Sequence, residues 1–332
     1  MRLANALIGI LIFMGCAPLL CFGVDAYPFG GTLLYLGGVS VYDLKSRECI
    51  EGDFSKKNSF KDPYYCRLGQ RWGQRQFYTV IDRDLEYVNS SDPATLFFFD
   101  FASNSSVEVC STSKIGRSME WYFPDRDLLV YSISKFNAHA EFFGKKGRME
   151  RVYYTRNIKT GAIKEALGTA NVYIRRYRID PSFSYTGAYM YYVSKDWKLI
   201  ELEVETQNET VMADLTSFLD SHKNDIPLIL GPGSPDRKYV PIIAGKTLYI
   251  LSSGGEIRTA ASPFLGIFGA GAQGPIFWDK NSEYVIFSTR FGWLPSFDFR
   301  DNDIGYYSIK DGSVKKIETG SSYNPGIWYS WD

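Results

Sequence analysis

The 332-residue chain lacks the residue patterns that mark several kinds of functional site. It has two histidines, His139 and His222, far apart in the sequence, and its five cysteines include no Cys-x-x-Cys pair, so no zinc-ligand pattern is present. No Gly-x-Ser-x-Gly elbow supplies a hydrolase nucleophile, and the Asp-box pattern of sialidases is absent. Basic and acidic residues number 37 each, so no excess charge attracts nucleic acid or an acidic surface.

Aromatic residues are what the chain has in abundance, with 24 tyrosines and 23 phenylalanines. β-Branched residues lie between them. This composition is typical of strands packed face to face, and we expect few helices.

The first 26 residues predict an export signal. Arg2 is followed by an uncharged, mostly apolar stretch over residues 3–24, and Val24-Asp-Ala26 places modest residues where a signal peptidase would cut. We therefore predict a signal peptide over residues 1–26 and a single domain over residues 27–332. A periplasmic or secreted protein is expected, with membrane association only through this N-terminal segment.

Two alternatives for this segment stay open. It is just long enough to span a bilayer as a retained anchor, and Phe13-Met-Gly-Cys16 resembles a lipoprotein cleavage box, which would place a lipid on Cys16. Export would leave Cys49, Cys66 and Cys110 in an oxidising compartment, where one disulfide is expected but the sequence does not choose the pair.

A short phrase containing Pro-Asp or Trp-Asp recurs along the chain, and its first three copies each precede an apolar run typical of a strand. The copies are Trp121-Tyr-Phe-Pro-Asp125, Ser234-Pro-Asp236, Trp278-Asp279 and Trp331-Asp332. Recurrence at roughly fifty residues predicts repeated small sheets. The clearest unit predicts a four-stranded blade with strands over residues 118–123, 128–134, 151–156 and 162–166, and a long loop over residues 135–150. Similar units span residues 66–110, 173–214, 228–259 and 274–318.

The last copy of the phrase predicts how the repeat closes. The chain stops at Asp332, where earlier copies continue into a second strand, so its partner strands must come from elsewhere. Runs over residues 32–36, 39–44 and 47–51 fit, with residues 326–331 as the innermost strand. A blade built from both chain ends seals a ring through ladder hydrogen bonds. We therefore predict an all-β fold, a closed six-bladed β-propeller of four-stranded antiparallel blades.

Three features recur in these units: the Pro-Asp turn, as in Ser234-Pro-Asp-Arg237, the apolar strand after it, and the Gly-centred outer hairpin. Together they resemble the WD40-like repeats of TolB-type propellers, which also occur in prolyl oligopeptidase-like proteins. The resemblance covers nearly the whole chain after residue 26. It implies a binding platform, or a gating domain beside a catalytic domain. Too few residues precede the first blade for the N-terminal domain of TolB or for a hydrolase domain, so neither is expected.

Arginines in the predicted innermost strands are candidates for anion binding. The densest group is Arg175, Arg176 and Arg178, whose guanidinium groups could bind a carboxylate, a phosphate or an acidic peptide bidentately. The alternative is that these side chains face channel water or pair with acids such as Asp180.

Aromatic residues in long loops are candidates for partner binding. Two predicted loops between second and third strands, over residues 135–150 and 290–303, should share one face with the interblade connectors over residues 52–65 and 214–227. We call this the long-loop face. Its predicted partner-binding residues are Phe142, Phe143, Trp293, Phe297 and Phe299, since aromatic side chains dominate interface hot spots. The alternative is that they fold back onto the blades.

Two further motifs favour structural roles. Gly269-Ala-Gly-Ala-Gln-Gly274 spells a dinucleotide fingerprint, but an apolar strand start follows in place of a helix, so a blade connector is expected. Asp298, Asp301 and Asp303 suggest calcium but lack the spacing of an EF-hand loop. We predict no metal and no cofactor.

These observations favour an exported, non-catalytic propeller that binds a protein or peptide partner through its long-loop face, with no catalytic residue assigned. The alternative is an enzyme or small-anion-binding protein whose site lies at the mouth of the central channel. Propeller enzymes assemble acids and arginines from different blades, a pattern that sequence spacing does not reveal.

Overall fold

A computed structural model of the chain describes residues 27–35, 40–47, 49–51, 66–72, 75–81, 94–100, 105–112, 119–123, 126–142, 145–167, 179–184, 186–222, 225, 228–261, 270–291, 303–317 and 327–330. This part of the chain is nearly all β. Its strands form six four-stranded antiparallel sheets, and it contains one short helix.

Each sheet takes its strands in chain order, except that sheet 1 also receives the last strand. Sheet 1 contains β1 (Thr32–Tyr35), β2 (Ser40–Asp43), β3 (Cys49–Glu51) and, beside β1, β24 (Ile327–Ser330). Sheet 2 contains β4 (Cys66–Trp72), β5 (Arg75–Ile81), β6 (Ala94–Asp100) and β7 (Ser105–Thr112). Sheet 3 contains β8 (Met119–Phe123), β9 (Leu128–Phe142), β10 (Lys145–Asn157) and β11 (Ile163–Leu167).

The remaining sheets follow the same order. Sheet 4 contains β12 (Ser182–Phe183), β13 (Tyr189–Val193), β14 (Lys198–Glu203) and β15 (Glu209–Asp214). The helix, α1 (Thr216–Ser221), connects it to sheet 5. Sheet 5 contains β16 (Leu228–Leu230), β17 (Tyr239–Ala244), β18 (Thr247–Ser252) and β19 (Ile257–Ala261). Sheet 6 contains β20 (Ala270–Trp278), β21 (Tyr284–Phe291), β22 (Asp303–Ser308) and β23 (Val314–Ile317).

Sheets 3, 4, 5, 6 and 1 pack face to face in that order, and consecutive positions of their central strands face opposite neighbours. In β13, Met190 and Tyr192 pack with sheet 3, whereas Tyr191 and Val193 pack with sheet 5. The same alternation in β17 and β21 joins sheet 5 to sheet 6 and sheet 6 to sheet 1. A strand buried on both faces needs apolar residues at almost every position, which explains uninterrupted runs such as Tyr189–Val193.

The recurring phrase forms the turn between the first two strands in sheets 5 and 6, as predicted. Ser234 and Asp279 each accept a hydrogen bond from the amide of the tyrosine five residues later, at 2.9 and 2.7 Å. Three residues after each, Arg237 and Ser282 adopt positive φ values of 63°. Sheet 4 repeats this turn from Ser184, with the amide of Tyr189 donating to the hydroxyl at 3.1 Å. A side-chain acceptor at the first turn position holds each second strand in register.

The two chain ends meet in sheet 1. β24 pairs antiparallel with β1, placing Leu33 opposite Tyr329, so the predicted pairing of the chain ends is confirmed. The segment before β1 strengthens this seam, because the Phe29 ring packs against Tyr306 and Tyr284 of sheet 6 with centroids 5.1 and 5.2 Å apart. Leu33 is fully buried in the same cluster.

The structure corrects the predicted loop over residues 135–150. Both halves of this segment are strand, with β9 continuing to Phe142 and β10 beginning at Lys145, and the two pair along their length with one bulge between Lys146 and Arg148. The sequence contains the reason: from Lys135 to Phe142, polar and apolar residues alternate strictly, which is the period of a strand.

The expected connector at residues 269–274 is also wrong. β20 begins at Ala270, and residues 270–273 pair with residues 288–291 before a bulge between Gln273 and Ile276. Small residues suit a paired strand that is interrupted by a bulge. Residues 270–274 of the glycine fingerprint therefore lie within a strand, and they do not open a helix.

Candidate functional site

Most of the predicted site residues fall outside the described part of the chain. This holds for the partner-binding residues Phe143, Trp293, Phe297 and Phe299, for the arginines Arg175, Arg176 and Arg178, and for Asp298 and Asp301. The backbones of Phe142 and Asp303 are described, at the end of β9 and the start of β22. The candidate site is therefore built from the described elements within or beside the segments predicted to form the long-loop face.

The most prominent of these elements is a two-stranded extension of sheet 3, which we call the arm. Among the described residues, β8 pairs with β9 up to Tyr131, and β11 pairs with β10 from Tyr153 onward. Residues 132–142 of β9 and 145–152 of β10 continue beyond both, paired with each other. At the rise of an extended strand, the arm is roughly 30 Å long.

The connector between sheets 4 and 5, which is predicted to lie on the long-loop face, contains α1. The Asp214 carboxylate accepts the Thr216 amide at 2.8 Å, and hydrogen bonding by the Thr216 side chain, together with this amide, lowers the pKa of Asp214. Phe218 and Leu219 of the helix are buried in the cluster between the two sheets. Two apolar residues on one turn hold this short helix against the sheets, because a helix of six residues has little stability of its own.

His222 follows the helix and is held on both sides of its ring. Its Nδ1 lies 2.7 Å from the Phe218 carbonyl oxygen, and its Nε2 lies 2.8 Å from the Tyr249 hydroxyl. Because a carbonyl can only accept, Nδ1 carries a proton directed at Phe218, while Nε2 shares a hydrogen bond with the Tyr249 hydroxyl. Desolvation raises the pKa of Tyr249. The hydrogen bond between His222 and Tyr249 can fix the connector to β18, and it already uses the Nε2 atom and the Tyr249 hydroxyl.

Contacts around Gly245 show that the interblade connector and the second-to-third-strand turn lie at one end of sheet 5. A side-chain carbon at Gly245 would lie 3.5 Å from the Cβ atom of Asp225, which belongs to the connector. Gly245 itself adopts a positive φ of 62° in the tight turn between β17 and β18. In sheet 5, this end therefore corresponds to the predicted long-loop face.

A polar cluster occupies the opposite end, between sheets 4 and 5. The Glu201 carboxylate is buried and pairs with Arg237 through Nη2 and through Nε, the latter at 3.1 Å. The Tyr191 hydroxyl donates to the same carboxylate at 2.9 Å. The guanidinium also stacks on the Tyr189 ring, 3.9 Å from its centroid, and donates to the Tyr189 hydroxyl at 2.9 Å.

This Glu201 cluster is suited to joining sheets rather than to catalysis. Both carboxylate oxygens accept hydrogen bonds, one at Oε1 from Arg237 and two at Oε2 from Arg237 and Tyr191, so the acid links strands of both sheets. Burial, together with the neighbouring carboxylate, raises the pKa of Tyr191, and hydrogen bonding to Glu201 raises the pKa of Arg237. Both groups therefore keep their protons at neutral pH.

The described residues contain no group of three or more His, Cys, Asp or Glu side chains able to hold a metal ion. No helix in the part of the chain that the structure describes has the length and apolarity needed to cross a membrane.

The sequence analysis missed both His222–Tyr249 and the Glu201 cluster. Glu201 and Arg237 belong to different sheets, with β15, the helix and β16 between them, and His222 lies in the connector that precedes the sheet of Tyr249, so neighbouring positions in the sequence give no sign of either contact. The signal available in the sequence was Glu201, a glutamate between apolar residues of β14, Lys-Leu-Ile-Glu-Leu-Glu. A buried acid in such a run requires a cation nearby.

No protein-family model and no curated protein matches this chain. Among solved structures it is similar to a putative TolB from Agrobacterium tumefaciens, with 11% identity and a TM-score of 0.48, over 90% of this chain and 97% of that one. It is similar to an oligogalacturonate lyase from Vibrio parahaemolyticus, with 10% identity and a TM-score of 0.45, over 86% and 73% of the two chains.

A putative 6-phosphogluconolactonase from Bacteroides fragilis gives 11% identity and a TM-score of 0.43, over 89% of this chain and 82% of that one. Identities and TM-scores are low throughout. What these proteins bind or catalyse therefore does not transfer to this chain.

Proposed function

We propose that this protein is an exported, non-catalytic β-propeller that binds a protein or peptide partner through its long-loop face. In this proposal six blades form one ring over residues 27–332, closed by the β24–β1 pairing, with residues 1–26 acting as the export signal. Two close backbone contacts support the ring around sheet 2, where side chains are not described. Cα atoms of β24 lie within 8 Å of Cα atoms of β4, and Cα atoms of β4 lie within 8 Å of Cα atoms of β8.

The observation that carries the proposal is the arm. Four strands of ordinary length complete a blade, so the residues beyond Tyr131 and before Tyr153 are not needed for the sheet. In a ring of equivalent blades, the arm leaves from the same end as the β17–β18 turn and α1. Structure that extends beyond a scaffold at one end is a common way to build a binding surface.

The second support is the aromatic sequence of the other long insertion. Trp293, Phe297 and Phe299 lie between β21 and β22, at the position equivalent to the arm tip in sheet 3. Large aromatic residues contribute the most binding energy per residue at protein interfaces. We assign these residues, with Phe142 and Phe143, to partner binding.

The test is affinity capture from the extracytoplasmic fraction of the source cells with the mature protein as bait. Trp293→Ala and Phe297→Ala should each abolish capture of the partner, because a lost aromatic hot spot costs about 2 kcal/mol or more, some thirtyfold in affinity. Glu256→Ala is the matched control, since Glu256 is exposed at the opposite end of sheet 5. Retention of every captured protein by both aromatic variants would show that the partner binds elsewhere.

A further inference from the structure

The arm has backbone edges that the rest of the described chain does not cover. Positions 132–142 of β9 pair with β10 on one side, and among the described residues no strand pairs with them on the other. A strand edge of this length presents a row of unpaired amide and carbonyl groups. Two-stranded ribbons alone are marginally stable in water, whereas a third strand makes them stable.

The sequence of this edge is complementary to itself. Residues 135–142 read Lys-Phe-Asn-Ala-His-Ala-Glu-Phe. When two copies are laid antiparallel about Ala138, Lys135 of one copy stands opposite Glu141 of the other, and this pair occurs twice. Phe136 stands opposite Ala140, and Asn137 opposite His139. Over residues 135–141, each polar position thus meets a polar one, and Phe136 meets the small Ala140.

We propose that the protein self-associates through this edge, with β9 of two copies joined as antiparallel neighbours about a two-fold axis at Ala138. The two arms then form one four-stranded sheet, which satisfies the free edge of each β9. Such an interface is isologous, as in most homodimers. The inference goes beyond partner binding and does not depend on it.

The strand that pairs with the free edge of β9 belongs to a second copy of this chain, because the charge pattern of the edge favours self-pairing. Opposite charges at facing positions stabilise an antiparallel pair, and like charges destabilise it. The β10 edge lacks this property, since Lys145, Lys146, Arg148 and Arg151 make it mainly basic. Self-pairing about β9 therefore sets two opposite-charge pairs in place, whereas self-pairing about β10 would bring basic residues together.

The experiment is sedimentation velocity on the mature protein across about 1 to 200 µM, because a short shared strand supports an affinity on the order of micromolar. The wild type should pass from monomer to dimer. Lys135→Glu and Glu141→Lys should each weaken the dimer by about tenfold or more, since each converts two opposite-charge pairs into like-charge pairs. An equimolar mixture of the two variants should recover association, because both facing pairs of the mixed dimer then join a lysine to a glutamate.

Lys146→Glu is the matched control. It places a glutamate opposite Glu141 within the same arm, just as Lys135→Glu places one opposite Glu150, but it changes no position of the proposed interface. It should leave the dimer intact. If it dissociates the dimer as much as Lys135→Glu does, then arm stability, and not the proposed register, governs association.

A variant with residues 135–150 replaced by Asn-Gly tests the same point without charge changes. Ser134 and Arg151 are cross-strand neighbours, so a two-residue turn can close the shortened hairpin. This variant should stay monomeric with an unchanged far-ultraviolet circular dichroism spectrum of the blades. A wild type that remains monomeric throughout, a shortened variant that still dimerises, or a mixture that fails to recover association would each overturn the proposal.

Discussion

Removing the Arg237 side chain should destabilise the fold by leaving a buried carboxylate without its cation. Glu201 is 5% exposed and receives two hydrogen bonds from the guanidinium. Removing one partner of a buried ion pair costs about 3–5 kcal/mol. The Arg237 side chain is 47% exposed, so water can enter where it stood and reduce the penalty. We therefore expect Arg237→Ala to lower the free energy of unfolding by about 2–3 kcal/mol.

Alanine is the right replacement because of the backbone at this position. Arg237 adopts a φ of 63°, and alanine bears the same left-handed penalty as any residue with a Cβ atom. The comparison therefore reports the side chain alone, whereas glycine would relieve the backbone and mask the loss. Urea unfolding followed by tryptophan fluorescence gives the free energy by linear extrapolation.

Two further variants separate charge burial from general loss of packing. Adding Glu201→Gln to Arg237→Ala should recover more than half of the loss, because a neutral amide can still accept from Tyr191 without a buried charge. Lys238→Ala is the neighbouring control, since its pair with Asp236 is largely exposed, and should cost less than about 1 kcal/mol. The reasoning fails if Arg237→Ala costs no more than Lys238→Ala, or if the glutamine recovers nothing.

Two other predictions concern an outer turn and the seam. The hydroxyl and amide of Ser313 lower the pKa of Asp311 to about 2, from an ordinary value of 3.8. The ionised Asp311 carboxylate therefore stabilises the fold fully above about pH 3.8, and this stabilisation is lost as the pH falls through about 2. Asp311→Asn should lack this component in acid unfolding followed by circular dichroism, and an unchanged acid profile would contradict it. Deleting residues 323–332 removes β24 and uncovers β1 beside buried Leu33. The midpoint of thermal unfolding should therefore fall, whereas deleting residues 331–332 alone should not lower it. Equal midpoints would refute closure through β1.

The repeat could be predicted because each blade is specified locally. Turn residues such as Ser234 and Asp279 accept amides only five residues away, and Gly161 and Gly312 occupy positive-φ positions in outer hairpins that they close within four residues. Interactions between residues four or five positions apart depend on particular residue types at fixed spacing, so they can be recognised in a single sequence. The pairing of chain ends was also accessible, since an incomplete last unit requires a partner.

Contacts between blades could not be predicted in the same way. The Glu201 carboxylate meets Arg237 across 36 positions of sequence, and His222 meets Tyr249 across 27. In neither pair are the two residues separated by a number of positions that helix or strand periodicity would bring together. The arm is different: its period-two alternation was present in residues 135–142, and the prediction of a loop gave too much weight to its position between two blade strands.

The two ends of sheets 4 and 5 differ in how their polar groups are used, and this difference bears on where function lies. At the end with the first turns, the Ser234 hydroxyl donates to Asp236 within the turn, the Asp236 amide donates to Ser282 of sheet 6, and Arg237 donates to Glu201 of sheet 4. A ligand there would have to displace bonds that hold sheets together. At the other end of these sheets, α1 adds structure that a four-stranded sheet does not require, and in the proposed ring the arm of sheet 3 leaves from the same end. A surface that can vary without opening the proposed ring is one on which binding can be built, and this favours the long-loop face for both proposed interactions.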